Sequence, residues 1–364
     1  MIRRFSVLFL SVLFLLLTAL SGLLFVALRG PSESVRNQLT LSLLETSAAK
    51  FVPGLFLSDA LVEEIVAGNA VLESEEITDT SMVTTNWPQA STIDGENGGA
   101  DASAGGYGDG IQDEWADYPE GIRIETIKAA AYRGYVMLVR DPSRVYAATS
   151  SNFKNGQPGL KIHDALAKEG AVAAINGGGF PDVNGVGLGN LPIGLVISKG
   201  TMLWGNEGTT YSSVIGFNTD NVLIVGSMTP AKARELQIRD AMCFGPTLVV
   251  NGEPAEVTGM DGGLNPRSAI GQRADGAVIL LCVDGRMPSS LGASFSDLIE
   301  IMLSYGAVNA SNLDGGSSSH LYYNGEAVNI SSSLYGPRRL PTFFMVGPLA
   351  DGDGMGIEVG DGVS

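Results

Sequence analysis

The chain opens on an apolar run from Phe5 to Leu28 that carries no charge. As a helix, that run is long enough to span a hydrocarbon core of about 30 Å. It also exceeds the roughly 7–15 residue apolar stretch of a cleavable signal. Arg3 and Arg4 precede it and favour a cytoplasmic N-terminus. Residues 1–30 are therefore expected to be an uncleaved, single-pass signal anchor, with the rest of the chain outside the cytoplasm. Residues 31–75 read as two short helices broken at Pro53-Gly54, a membrane-proximal stalk. Residues 76–114 show no period and are rich in acidic and small residues, which is the pattern of a flexible linker.

From Trp115 onward strand periodicity takes over. "YVMLV" runs into the turn "RDPSR", and "VIGF" and "VLIVG" flank "NTDN". "TLVV-NG-EP" and "LYY-NG-EAV" each place Asn-Gly between extended segments, the strongest short hairpin signal. "IGQ-RADG-AVILLCV" reads as a further hairpin. Two helices interrupt the strands. "LKIHDALAKEG" stops at Gly170, and "SFSDLIEIMLSYG" starts at a capping Ser294 and stops at Gly306. In the second, Phe295, Leu298, Ile299, Met302 and Leu303 form a stripe expected to be buried, with Glu300 off it and solvated.

Both helices lead into similar continuations, "EGAVAAINGGGF" and "YGAVNASNLDGGSSS". An internal repeat is expected, its two glycine-rich loops facing one cleft. The fold class is α+β, mainly antiparallel or mixed sheet with helices packed on it. The domain is expected over residues 115–348, with a flexible tail over 349–364.

The formal charge of −17 narrows the partners. Residues 1–122 carry 5 basic and 17 acidic residues, so the acidity belongs mostly to the N-terminal region. No basic stripe offers a surface to nucleic acid, and none is expected as a partner. Cys243 and Cys282 lie in apolar runs, where pairing and burial as free thiols both remain open. No CxxC or His-rich spacing suggests a metal, and no cofactor is expected.

Four loops concentrate the candidate chemistry: "INGGGF" (175–180), "LNPRSAIG" (264–271), "CVDGR" (282–286) and "NLDGGSSS" (312–319). Singly, each has a plain structural reading. Asn176 can form a turn, Arg267 and Arg286 can make surface ion pairs, Asp284 can end a hairpin, and Asp314 can cap. Together they assemble two carboxylates, two arginines, an amide and small hydroxyls, which suits an anionic, hydroxyl-rich ligand. These segments, in this order and with the ending "RRLPTFFMV", resemble the phosphodiester glycosidase family, in particular its bacterial exopolysaccharide-biosynthesis branch. The likeness runs from about Ala131 to Val346. The first loop departs from the family's usual Asn-Gly-Gly-Phe by one extra glycine.

The resemblance implies hydrolysis of a sugar–O–phosphate bond at the anomeric carbon, through an oxocarbenium-like transition state. It implies catalytic roles for Asp314 and Asp284, as acid, base or nucleophile. It implies phosphate binding by Arg267 and Arg286, whose forks match a phosphate. Asn176, Gly178, Gly315, Gly316, Ser317 and Ser318 would then bind sugar hydroxyls or phosphate oxygens. The expected function is a membrane-anchored, extracytoplasmic hydrolase of sugar-1-phosphodiesters in a glycan or cell-surface polymer. A non-catalytic envelope glycan-binding module and a transferase of sugar-phosphate units stand as the alternatives.

Overall fold

The computed structural model describes residues 2–46, 48–72, 74–85, 114–153, 156–182, 187–333 and 336–349. The hairpins form where the turn chemistry places them. Thr247–Val250 pairs antiparallel with Glu253–Pro254 across Asn251-Gly252, and both turn residues have positive φ. Leu321–Tyr323 pairs with Glu326–Ala327 across Asn324-Gly325 in the same manner. Tyr211–Asn218 pairs with Leu223–Met228, and Arg267–Arg273 with Val278–Val283.

These strands build three main sheets with antiparallel neighbours. A seven-stranded sheet holds Ala307–Leu313 and Arg267–Arg273 at its centre, with Ile122–Lys128 on one edge. A five-stranded sheet sets Ala173–Asn176 between Leu321–Tyr323 and Thr342–Val346. A second five-stranded sheet has Ile238–Cys243 at its middle. Alternation sorts the side chains of each strand between two cores. Val278, Leu280 and Cys282 join Ile175, Phe344 and Phe217 where the three sheets meet. Ile279, Leu281 and Val283 point the other way, onto the helix Phe295–Ser304 and Trp115. A chain buried on both faces has to be apolar throughout, as "AVILLCV" is.

The helices are α1 (Ile2–Arg29), α2 (Glu33–Leu44), α3 (Val52–Phe56), α4 (Asp59–Ala67), α5 (Ile162–Glu169), α6 (Pro230–Glu235) and α7 (Phe295–Ser304). α1 is long and apolar enough to cross a membrane, and its side chains are exposed along most of its length. Gly170 closes α5 in the left-handed conformation, at φ 64°. Ser294 caps α7 in a capping box with Asp297. Phe295, Leu298, Ile299 and Met302 are buried as the stripe requires, and Glu300 is exposed. Leu303 departs from that expectation and stays exposed, while Ile301 takes the buried place.

The N-terminal boundaries also shift. α2, α3 and α4 gather around the end of α1, where Leu28 packs with Leu41, Leu57 and Ile65. Val71–Leu72 pairs with Glu256–Val257, tying this helical segment to the domain. Residues expected to begin the linker instead lie on the domain. The Thr78 amide donates to the Val225 carbonyl at 3.2 Å, and the Thr84 amide to the Ala274 carbonyl at 2.8 Å. Ile77 and Val83 supply the apolar contacts that a period-based reading passed over, because they are too few to make a pattern. The remainder of the expected linker, 86–113, and most of the tail, from 350, lie outside the described residues.

Candidate active site

The two glycine-rich loops that follow α5 and α7 in the chain meet. Asn176 ends its strand in one sheet, and Asp314 follows Leu313 at the end of a strand in the other. The Asp314 amide donates to the Gly177 carbonyl at 3.0 Å. The Asn176 side-chain amide donates back to the Asp314 carbonyl at 2.5 Å. Two sheets thus end side by side, and the glycines let their backbones approach closely.

Asp314 opens onto a cavity of about 290 Å³. Burial pushes its carboxyl up to about 7, although the Ser318 hydroxyl and the charge of Arg338 pull the other way. Gly315, Gly316, Ser317 and Ser318 line the same cavity, as do Arg267 and Arg286. Gly316 sits at φ +63°, and a Cβ there would stand 3.1 Å from a terminal nitrogen of Arg286. The positive φ favours glycine at this position, and the arginine lies close over it.

Sequence reasoning missed the arginine that faces Asp314. Arg338 grips Asp182 with both terminal nitrogens, at 3.0 and 2.9 Å. It also donates to the Ser317 hydroxyl at 3.1 Å and lies 5.4 Å from the centre of the Phe180 ring. Arg338 stands inside "RRLPTFFMV" and Asp182 just after "GGGF". Both were within the motifs, but nothing in a linear pattern says that these two segments touch.

The two expected phosphate arginines are both at the cavity, with different freedom. Arg267 is 2% exposed and stacks on Phe295, 4.0 Å from the ring centre. Its donors go to the carbonyls of Ala293, Gly262 and Gly263 and, at 2.7 Å, to the Glu45 carboxylate. Arg286 donates to Asn265 and to the Glu45 carbonyl from a single nitrogen, and burial lowers its pKa. Glu45 therefore places a carboxylate where an anionic ligand would meet Arg267. It comes from the end of α2, a segment the sequence reading treated only as a stalk. Burial raises its pKa, against the two nearby arginines.

Three expected site residues do not line the cavity. Asp284 is 2% exposed, and its carboxylate accepts the Ile330 amide at 2.9 Å, which holds the 329–330 turn. Burial raises its pKa as well. Asn176 spends its side chain on Asp314, the Ser268 hydroxyl and the His320 amide. Gly178 packs against the Cys243 carbonyl, where a Cβ would stand only 2.6 Å away. All three build the site from behind. Cys243 and Cys282 are buried free thiols, and burial raises Cys243 to about 11.

A carboxyl raised by burial and an arginine thus share one cavity at the ends of two sheets. The family model described as phosphodiester glycosidase matches residues 169–347, just under half of the chain. An uncharacterised SPbeta prophage-derived protein, YomE, of Bacillus subtilis is 36% identical over 129 residues, 34% of this chain and 20% of that protein. The mouse N-acetylglucosamine-1-phosphodiester alpha-N-acetylglucosaminidase is 22% identical over 233 residues, 57% of this chain and 43% of that one. The chain thus spans less than half the length of these curated relatives. The catalytic domain of the zebrafish enzyme of the same name superposes with a TM-score of 0.52 at 20% identity, over 62% of this chain and 82% of that one. This likeness carries the α+β fold.

Proposed function

We propose that this chain is a membrane-anchored, extracytoplasmic phosphodiester glycosidase that cleaves the anomeric bond of a sugar-1-phosphodiester in a glycan or cell-surface polymer. The observation that carries it is Asp314, a carboxyl raised to about 7 in a cavity shared with Arg338, Arg267 and Arg286. Attack at the anomeric carbon needs a carboxylate beside the sugar ring and cations around the departing phosphate. Asp314 supplies the first, as nucleophile or as the base that takes a proton from water. Arg338 and Arg286 supply the second. The phosphate leaves as a stable anion, so a strong general acid is not required. Asp284, behind the turn, supports the loop rather than the reacting atoms.

Glu45 belongs to this reading as a competitor. Its carboxylate pairs with Arg267 until a substrate phosphate replaces it. The zebrafish catalytic domain is described as auto-inhibited by its pro-peptide, and an N-terminal carboxylate over the arginines would restrain this site in a comparable way. The decisive experiment is hydrolysis in ¹⁸O water. The label is expected in the sugar hydroxyl and not in the phosphate. Label in the phosphate would show attack at phosphorus and end the glycosidase reading.

A further inference from the structure

Beside the Asp314 cavity lies a second opening of about 560 Å³, and its chemistry is different. Its walls are Val35, Leu39 and Leu43 of α2 against Met260, Leu264 and Leu291 of the domain. Val35 and Leu291 are 50% and 55% exposed, an unusual state for apolar side chains that face each other across a groove. Arg286 lines both this groove and the cavity. One end of the apolar channel is therefore a guanidinium that also serves the hydrolytic site.

The groove is also placed near the membrane-crossing candidate. Only Gly30, Pro31 and Ser32 separate α1 from α2, and the tip of α1 packs into the helices that carry the groove wall. A molecule lying partly in the bilayer would meet this wall first. An apolar channel that runs from a membrane-proximal helix to a phosphate-binding arginine fits one chemical shape: a hydrocarbon tail joined to a phosphodiester.

We propose, on the basis of the glycosidase reading above, that the substrate is a lipid-linked glycosyl phosphodiester. Its hydrocarbon chain lies in the α2 groove, its phosphate meets Arg286, and its sugar enters the Asp314 cavity. Water adds its oxygen to the anomeric carbon. The bond from that carbon to the phosphate oxygen breaks, and the lipid monophosphate leaves with the electron pair. The proton released from water passes through Asp314 to solvent or to the leaving phosphate. The products are a free sugar and a lipid phosphate that stays in the groove or returns to the bilayer.

The test uses the full chain in phosphatidylcholine nanodiscs and a diazirine-tagged hexadecyl phosphate. Light-induced adducts are expected on peptides from α2 and from residues 286–291. They should fall at least tenfold in the Val35→Asp/Leu291→Asp variant, which changes two exposed side chains and leaves the Asp314 cavity intact. Adducts elsewhere, or adducts indifferent to the two aspartates, overturn the proposal. A second arm compares hexadecyl and methyl diesters of N-acetylglucosamine-1-phosphate, with at least a tenfold higher kcat/KM expected for the long chain in wild type alone. Equal rates would reject the lipid groove and leave the hydrolase standing. Adducts in the groove with neither diester cleaved would keep the lipid site and reject the glycosidase reading instead.

Discussion

Asp314 is expensive to ionise where it stands, and that cost has two readouts. Its folded pKa of about 7 lies above its ordinary value of 3.8. The site therefore stabilises the fold fully only below about pH 4, and that contribution fades as pH rises towards 7. Asp314→Asn keeps the shape without the charge. At pH 8 it should raise Tm by at least about 2 °C, and at pH 4 the gain should vanish. The same substitution should lower kcat by at least ~10²-fold, the lower end of what a positioned proton-transfer group contributes. A stabilised and inactive protein at pH 8 would mark Asp314 as a working group. A destabilised one would mark it as a structural cap. Since the proposed role needs the ionised form, kcat/KM should climb as pH passes through about 7. A fall through the same range, in initial-rate profiles, would recast Asp314 as an acid.

At the scale of elements, the site depends on two loops held at one distance. The turn 314–318 can pass beneath Arg286 because Gly316 has no Cβ and sits at φ +63°. Gly316→Ala adds a methyl against the guanidinium and strains the left-handed backbone by roughly 1–2 kcal/mol. Its expected signature is a higher KM and a modest loss of stability, read by kinetics and denaturant titration together. An unchanged KM would mean that Arg286 does not bind substrate. The hairpins and α7 were legible in the chain because their causes are local. Asn-Gly sets a turn, Ser294 and Asp297 close a capping box, and alternation sets the faces. The exposure of Leu303 was not legible, since it depends on what packs against the end of the helix.

At the scale of the molecule, the N-terminal helices are coupled to the cavity end of the domain. Glu45 reaches Arg267 across 222 residues of sequence, at 2.7 Å. If it competes with the substrate phosphate, Glu45→Gln should lower KM severalfold with kcat little changed. A KM that rises in Glu45→Gln would instead make Glu45 part of the productive site.

The sequence by itself determined the elements and the inventory. The apolar run of α1, the hairpin turns, the two glycine-stopped helices and the loop motifs all follow from causes within a few residues. The family likeness rests on the same local strings. Which loop residues face the cavity was decided by tertiary structure alone. Asp284 and Asp314 look alike in the chain, each before a glycine after an apolar strand. One turns behind the loop to hold the Ile330 amide, and the other opens onto the cavity. Arg338, Asp182 and Glu45 reach the site from three distant segments, brought together by sheet pairing and by the return of α2 onto the domain. A side chain's direction at the end of a strand depends on what packs against the strand from both sides. That information is spread over the whole fold, and no window of sequence contains it.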